Sequence, residues 1–123
     1  MQIHSYKDLI VWQKSILLVK DIFLLTYKFP RAELYGLVAQ MRRAAISIPS
    51  NIAEGFGRKL RKEYRRGLLI AYASALELET QIVIAQELDF ASAEDYQTVG
   101  GLLNEVIRML NTLTSKLDKS PNH

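Results

Sequence analysis

Apolar residues recur along this chain at helical spacing, in four segments separated by short polar or glycine- and proline-containing stretches. The first segment runs from about Tyr6 to Tyr27. Leu9, Trp12, Ile16, Val19 and Phe23 follow a 3,4,3,4 spacing that keeps one stripe on one face. Two further rows repeat at sevens: Ile10, Leu17 and Leu24, and Val11, Leu18 and Leu25. A bundle helix needs only one apolar stripe, so the surplus predicts burial against something outside the bundle. Val11, Leu17, Leu18 and Leu25 are the candidate oligomer interface. Phe29-Pro30 ends the segment, because the residue before proline avoids the α region.

The second segment runs from about Glu33 to Glu54, with Leu34, Leu37, Met41 and Ala45 or Ile48 as its stripe. Pro49 lies inside it and predicts a kink. Gly55 and Gly57 are expected to stop the helix. The third runs from about Arg61 to Leu88 on Tyr64, Leu68, Tyr72, Ala75, Leu78, Ile82 and Ala85. Ser92 reads as an N-cap with Asp95 at the third helical position. The fourth segment then keeps an unbroken 3,4 seam from Tyr96 through Val99, Leu103, Val106, Leu110 and Leu113 to Leu117. Gly100-Gly101 inside it costs about 1 kcal/mol per residue relative to alanine, so a close helix contact is expected there. No period-2 strand and no internal repeat is present. The prediction is an all-α, antiparallel up-down-up-down four-helix bundle with a kinked second helix. One domain would span residues 1–119, with a short flexible tail at 120–123.

Composition narrows the chemistry. The chain has 123 residues, 49% of them hydrophobic, 24% charged, and no cysteine. A disulfide scaffold, a zinc ribbon and thiol catalysis are thereby excluded. The N-terminal sequence lacks the pattern of a signal peptide, and charges interrupt every apolar run, so a cytoplasmic chain with no membrane association is expected. His4 and His123 lie outside the periodic segments, and no Glu-x-x-His pair exists for a di-metal bundle site. Gly55-Phe-Gly-Arg-Lys lacks the spacing of a phosphate loop, and Ser47, Ser50 and Ser74 have no evident base. No metal, cofactor or small-molecule substrate is expected, and a catalytic role ranks last.

The net charge of +3 conceals a strong asymmetry. Residues 42–66 carry Arg42, Arg43, Arg58, Lys59, Arg61, Lys62, Arg65 and Arg66 against Glu54 and Glu63. Residues 67–107 carry seven acidic groups and no base. Six of the cations fall within residues 58–66, interleaved with Tyr64 and close to Phe56. A cluster of this kind is an electrostatic footprint for phosphates. It also stands at the start of a helix, where the dipole disfavours cations. Such a local conflict points to a functional demand. A solvated bundle end, or a strip that pairs with an acidic helix of a neighbour, would account for the same residues. If the second and third helices form a hairpin turning near residue 58, Arg43 falls opposite Glu77. That predicts an ion pair in a polar row with Ser47, Asn51 and Glu54.

Three stretches also carry a family resemblance: residues 9–14 (LIVWQK), 29–55 (FPRAELYGLVAQMRRAAISIPSNIAEG) and 71–81 (AYASALELETQ). They resemble the four-helix bundle proteins encoded by intervening sequences of bacterial 23S ribosomal RNA genes. More distantly, the chain is similar to the accessory variability protein of diversity-generating retroelements. The resemblance implies a bundle assembled into a ring, commonly a pentamer, with no established enzymatic activity. The distant relative implies a basic surface that binds nucleic acid and contacts a reverse transcriptase. By that similarity Arg42, Arg43 and the 58–66 block are the positions to test. In one respect the chain departs from many relatives. Where they open the third helix with Ser or Thr, it reads Arg58-Lys-Leu-Arg-Lys, losing a cap and gaining charge. The expected function is therefore sequence-independent binding of RNA or DNA by a homo-oligomer, and the rival is a protein-interaction scaffold.

Overall fold

A computed structural model describes residues 2–118 of the chain. The expected tail at 120–123 and His123 lie outside the described residues. Four helices are present: α1 (Ile10–Thr26), α2 (Leu37–Gly57), α3 (Arg61–Glu87) and α4 (Ala93–Asp118). Short 3-10 turns at Tyr6–Asp8 and Arg31–Glu33 precede the first two. No strand occurs among the described residues. Each helix packs on the next in sequence, α4 returns to α1, and α1 and α3 are not adjacent. The result is a four-helix bundle with α1 and α3 on one diagonal. Along α2 and α3, Ser47 meets Ser74 while Gly55 meets Gly67. Along α1 and α4, Lys14 pairs with Glu105 and Lys28 with Asp95. Numbers rise on one helix as they fall on its neighbour.

The first helix starts later than its apolar period suggests. Ser5 Oγ accepts from Lys7 N at 3.1 Å and Asp8 Oδ2 accepts from Ser5 N at 3.1 Å, closing a separate turn. Leu9 is extended, and α1 begins at Ile10. Its buried row is Val11, Ser15, Leu18, Ile22 and Leu25, one row over from the expected stripe. Leu9, Trp12, Val19 and Phe23 are half-buried, and Ile16 is exposed. Ser15 is tolerated in the core because its Oγ donates to Trp12 O at 2.7 Å.

Three of the four expected oligomer-interface residues are therefore reassigned. Val11, Leu18 and Leu25 are buried in the chain's own core, and Leu17 is 54% exposed. The unsatisfied apolar row on α1 is the other one at sevens: Ile10, Leu17 and Leu24.

α2 runs through Pro49, which is buried, and past Gly55 to Gly57. Gly55 is thus not a helix stop. It is a packing position: a Cβ on Gly55 would lie 3.0 Å from Gly67 Cα and 2.9 Å from Glu63 O. A Cβ on Gly67 would lie 2.5 Å from Asn51 O. The two glycines let the α2 and α3 backbones touch. By contrast, nothing stands within 4 Å of a Cβ built on Gly100 or Gly101, so the close contact expected there is absent.

The start of α4 follows its sequence signal. Asp95 N donates to Ser92 Oγ at 3.3 Å, and Ser92 N donates to Asp95 Oδ2 at 3.2 Å, a reciprocal capping box. Lys28 Nζ adds a 2.6 Å ion pair to the same carboxylate, tying the end of α1 to the start of α4. The Lys28 contact, followed by the Ser92 hydrogen bonds, holds the Asp95 carboxyl down to about 2. Its folded value lies below the ordinary one of 3.8, so the stabilisation is present above that pH and is lost as pH falls toward 2. Thermal unfolding of the native chain and of Asp95→Asn at pH 7 and pH 2.5 should show this. The two proteins are expected to differ most at pH 7 and by distinctly less at pH 2.5, where the stabilisation is partly lost.

By length and composition one described helix, α3, is apolar enough to cross a membrane. Its inward row, including Leu68, Ala71, Ala75, Leu78 and Ile82, forms part of the bundle core. The apolar residues left over, including Leu69, Ile70, Val83 and Ile84, are exposed.

Candidate nucleic-acid interface

The basic block is built by the α2–α3 connection. α2 ends at Gly57, Arg58 caps it, and Lys59 takes a left-handed conformation at φ 62°. Glycine or asparagine usually stands in that position, because a Cβ is unfavourable there. Leu60 precedes α3 with no side-chain cap hydrogen bond, as the missing Ser or Thr implied. The connection therefore lacks both customary local stabilisers and presents charge instead.

Of the eight expected basic residues, the structure groups six and separates two. Lys59, Arg61, Lys62 and Arg66 are exposed and make no ion pair among the described residues. Arg58 is exposed and pairs with Glu54 at 3.2 Å, a surface contact of little energetic weight. Arg65 is half-buried and turned toward α4: its Nε donates to Thr114 O at 3.2 Å, and its guanidinium lies 3.6 Å from Asp118. Arg65 is thus chiefly an anchor for the end of α4. Arg61, Lys62, Arg65 and Arg66 line an open groove of about 750 Å³ together with Leu69, Leu117 and the carboxylates of Glu63 and Asp118, so the basic side chains outnumber the acidic ones four to two. Beside it, Phe56 and Tyr64 stack edge-to-face with ring centres 5.6 Å apart, between Lys59 and Arg61. Burial pushes the Tyr64 phenol above its ordinary value, so it stays neutral.

Arg42 and Arg43 do not belong to this end. Fifteen residues of helix separate Arg43 from Arg58, about 22 Å at 1.5 Å per residue. Arg42 is a structural clamp. Its guanidinium lies 4.4 Å from the centre of the Phe23 ring and 5.1 Å from that of Tyr27, and its Nε donates to Thr26 Oγ1 at 3.0 Å. Sequence reasoning missed this role. The signal was present in Phe23, Thr26 and Tyr27, one helical turn of α1 with an aromatic face.

The expected Arg43–Glu77 ion pair does not form. Both side chains are exposed, and Glu77 accepts instead from Gln81 Nε2 at 3.3 Å. Register alone does not prevent it, since Ser47 lies beside Ser74 with the hydroxyls 2.8 Å apart, which sets Arg43 nearly level with Glu77; both charged side chains turn to solvent instead. The polar row itself exists, since Asn51 Nδ2 donates to Ser47 O at 2.8 Å and to Ser47 Oγ at 2.9 Å. It specifies the α2–α3 contact with neutral hydrogen bonds rather than with charge.

The profile of the 23S rRNA-intervening sequence protein family matches residues 7–112, which include all four helical cores and the basic connection. The chain belongs to that family. This member's bundle is also similar to a solved structure from Bacteroides thetaiotaomicron VPI-5482, a protein of unknown function from the S23 ribosomal protein family. The TM-score is 0.77 at 21% identity, over 86% of this chain and 96% of that one. That likeness carries the fold. No curated protein matches this family member significantly. Among the described residues, no group of three or more His, Asp or Glu side chains is placed to hold a metal ion.

Proposed function

We propose that this family member is a non-enzymatic, self-associating protein that binds RNA or DNA through the α2–α3 end of the bundle, largely without regard to sequence. The observation that carries the reading is the set of four exposed cations, Lys59, Arg61, Lys62 and Arg66, with no ion pair among the described residues, three of them lining one groove and Lys59 the hollow beside it. Cations at a helix start work against the dipole, and an anionic partner would reverse that cost. Arg58 and Arg65 support the site from its edges. Arg42 and Arg43 are not part of it. Self-association is supported by the apolar residues that the single chain leaves exposed on α1 and α3. A ring, commonly a pentamer, is what the family resemblance suggests.

The test is a binding series on a structured RNA at low salt. Arg61→Ala/Lys62→Ala/Arg66→Ala is expected to weaken binding at least tenfold, and Arg43→Ala to change it little. Equal affinity for the triple variant and the native chain would overturn the assignment. The basic end would then serve a protein partner, such as a polymerase, or an acidic face of another subunit.

A further inference from the structure

We propose that the hollow beside Phe56 and Tyr64 is a nucleobase pocket, taking one unpaired base of a strand whose phosphates lie along the adjoining basic groove. The inference rests on the nucleic-acid reading above and specifies the form of the partner: a single strand or a loop rather than a closed duplex. The hollow has a volume of about 490 Å³ and is lined by Phe56, Lys59, Leu60, Arg61, Tyr64 and Leu117. Arg61 and Leu117 also line the groove, so the two are continuous. The tight α2–α3 connection builds the hollow. Phe56 stands in the last turn of α2 and Tyr64 in the first turn of α3. Lys59 N donates to Phe56 O at 3.2 Å, and Tyr64 N donates to Leu60 O at 2.9 Å. The two rings thereby meet edge-to-face, an arrangement that uses only one ring face. Both residues are only half-buried, and Leu60 is 62% exposed.

Two properties of the lining select the occupant. Four of its six residues are aromatic or aliphatic, which suits a flat ligand with apolar faces. The other two, Lys59 and Arg61, are exposed cations with no ion pair among the described residues. No carboxylate lines the hollow, whereas Glu63 and Asp118 line the groove, so its positive charge is locally unopposed. The ligand that fits is flat at one end and anionic at the other, and an unpaired nucleotide has that form. A base inside a duplex has both faces covered by its neighbours and must leave the stack to reach the rings, at a cost that a single-stranded base largely avoids. Every base has a face to stack, so such a pocket keeps binding tolerant of sequence.

Two strands with the same number of phosphates separate base from charge: a single-stranded oligodeoxynucleotide, and its abasic counterpart in which the sugars carry no bases. The native chain should bind the ordinary strand about tenfold more tightly, the gain expected from one stacked base. Phe56→Leu and Tyr64→Leu keep apolar bulk at half-buried positions while removing an aromatic face. Each should lose most of that preference, bind the abasic strand as the native chain does, and keep the native far-UV circular dichroism. Leu60→Ala alters an exposed side chain outside the core and should lower the preference even if a leucine variant fails to fold. Equal native affinity for the two strands, with a steep salt dependence, would overturn the pocket and leave the basic end as a phosphate site. A base preference that all three variants retain would place the stacking elsewhere and overturn it as well. A native chain that binds neither strand would remove the nucleic-acid reading, and the pocket with it.

Discussion

Gly67→Ala is expected to be among the most damaging single-methyl changes in this protein. The added Cβ would stand 2.5 Å from Asn51 O and 2.9 Å from Gly55 Cα. Both atoms are backbone, so no side chain can rotate away, and α2 and α3 must move apart. That separation would also loosen the seam built by Ser47, Ser74 and Asn51, which depends on the same approach. Overpacking of this kind costs about 3 kcal/mol, which in a domain of this size lowers the melting temperature by roughly 10 °C. Gly101→Ala provides the contrast. Nothing stands within 4 Å of its Cβ, and the residue is exposed inside α4. Alanine there should stabilise the helix by about 1 kcal/mol. Thermal unfolding of the two variants should therefore move in opposite directions. A neutral Gly67→Ala would mean that the helices are not in backbone contact.

A second pair of substitutions separates the chain's own core from its outward row. Leu18 is fully buried and Leu17 is 54% exposed, although the two are adjacent. Leu18→Ala should cost about 3 kcal/mol, the usual loss for emptying a leucine-sized space in a core. Leu17→Ala should cost much less at low protein concentration. Under the proposed self-association its effect should grow with concentration, because a residue buried only on association would contribute to stability by mass action. Denaturant midpoints at two concentrations a hundredfold apart would distinguish these behaviours. Equal, concentration-independent losses at both positions would contradict the placement of the two rows.

These contrasts also mark what was legible in the sequence. The four helices and their apolar periods were legible, and so was the Ser92–Asp95 cap, because each depends on residues close together in the chain. In α1 three apolar rows competed. Periodicity could not choose among them, since the choice is made by what α2 and α4 present on the facing side. The core row contains Ser15, whose hydroxyl is satisfied by its own helix, so polarity pointed to the wrong row. Gly55 illustrates the same limit. A glycine near a helix end reads as a stop, and only the opposing backbone reveals it as a contact. The direction of exposed side chains could not be read either: Arg43 and Glu77 are nearly level across α2 and α3, yet both turn to solvent and do not pair. The basic connection was visible as a cluster, but the division of its members was not. Arg65 is claimed by the end of α4 and Arg42 by the aromatic face of α1, both contacts between segments distant in sequence.

The functional account therefore rests on four cations rather than eight. Phosphate contacts release counterions, so binding strength should fall steeply with salt. The direct measurement is the affinity of the native chain for a single-stranded RNA across a range of salt concentrations. Four contacts predict a slope of about −3 in log affinity against log salt per chain, shared by sequences of different composition and largely lost in Arg61→Ala/Lys62→Ala/Arg66→Ala. A slope near zero, or a slope the triple variant retains in full, would contradict it.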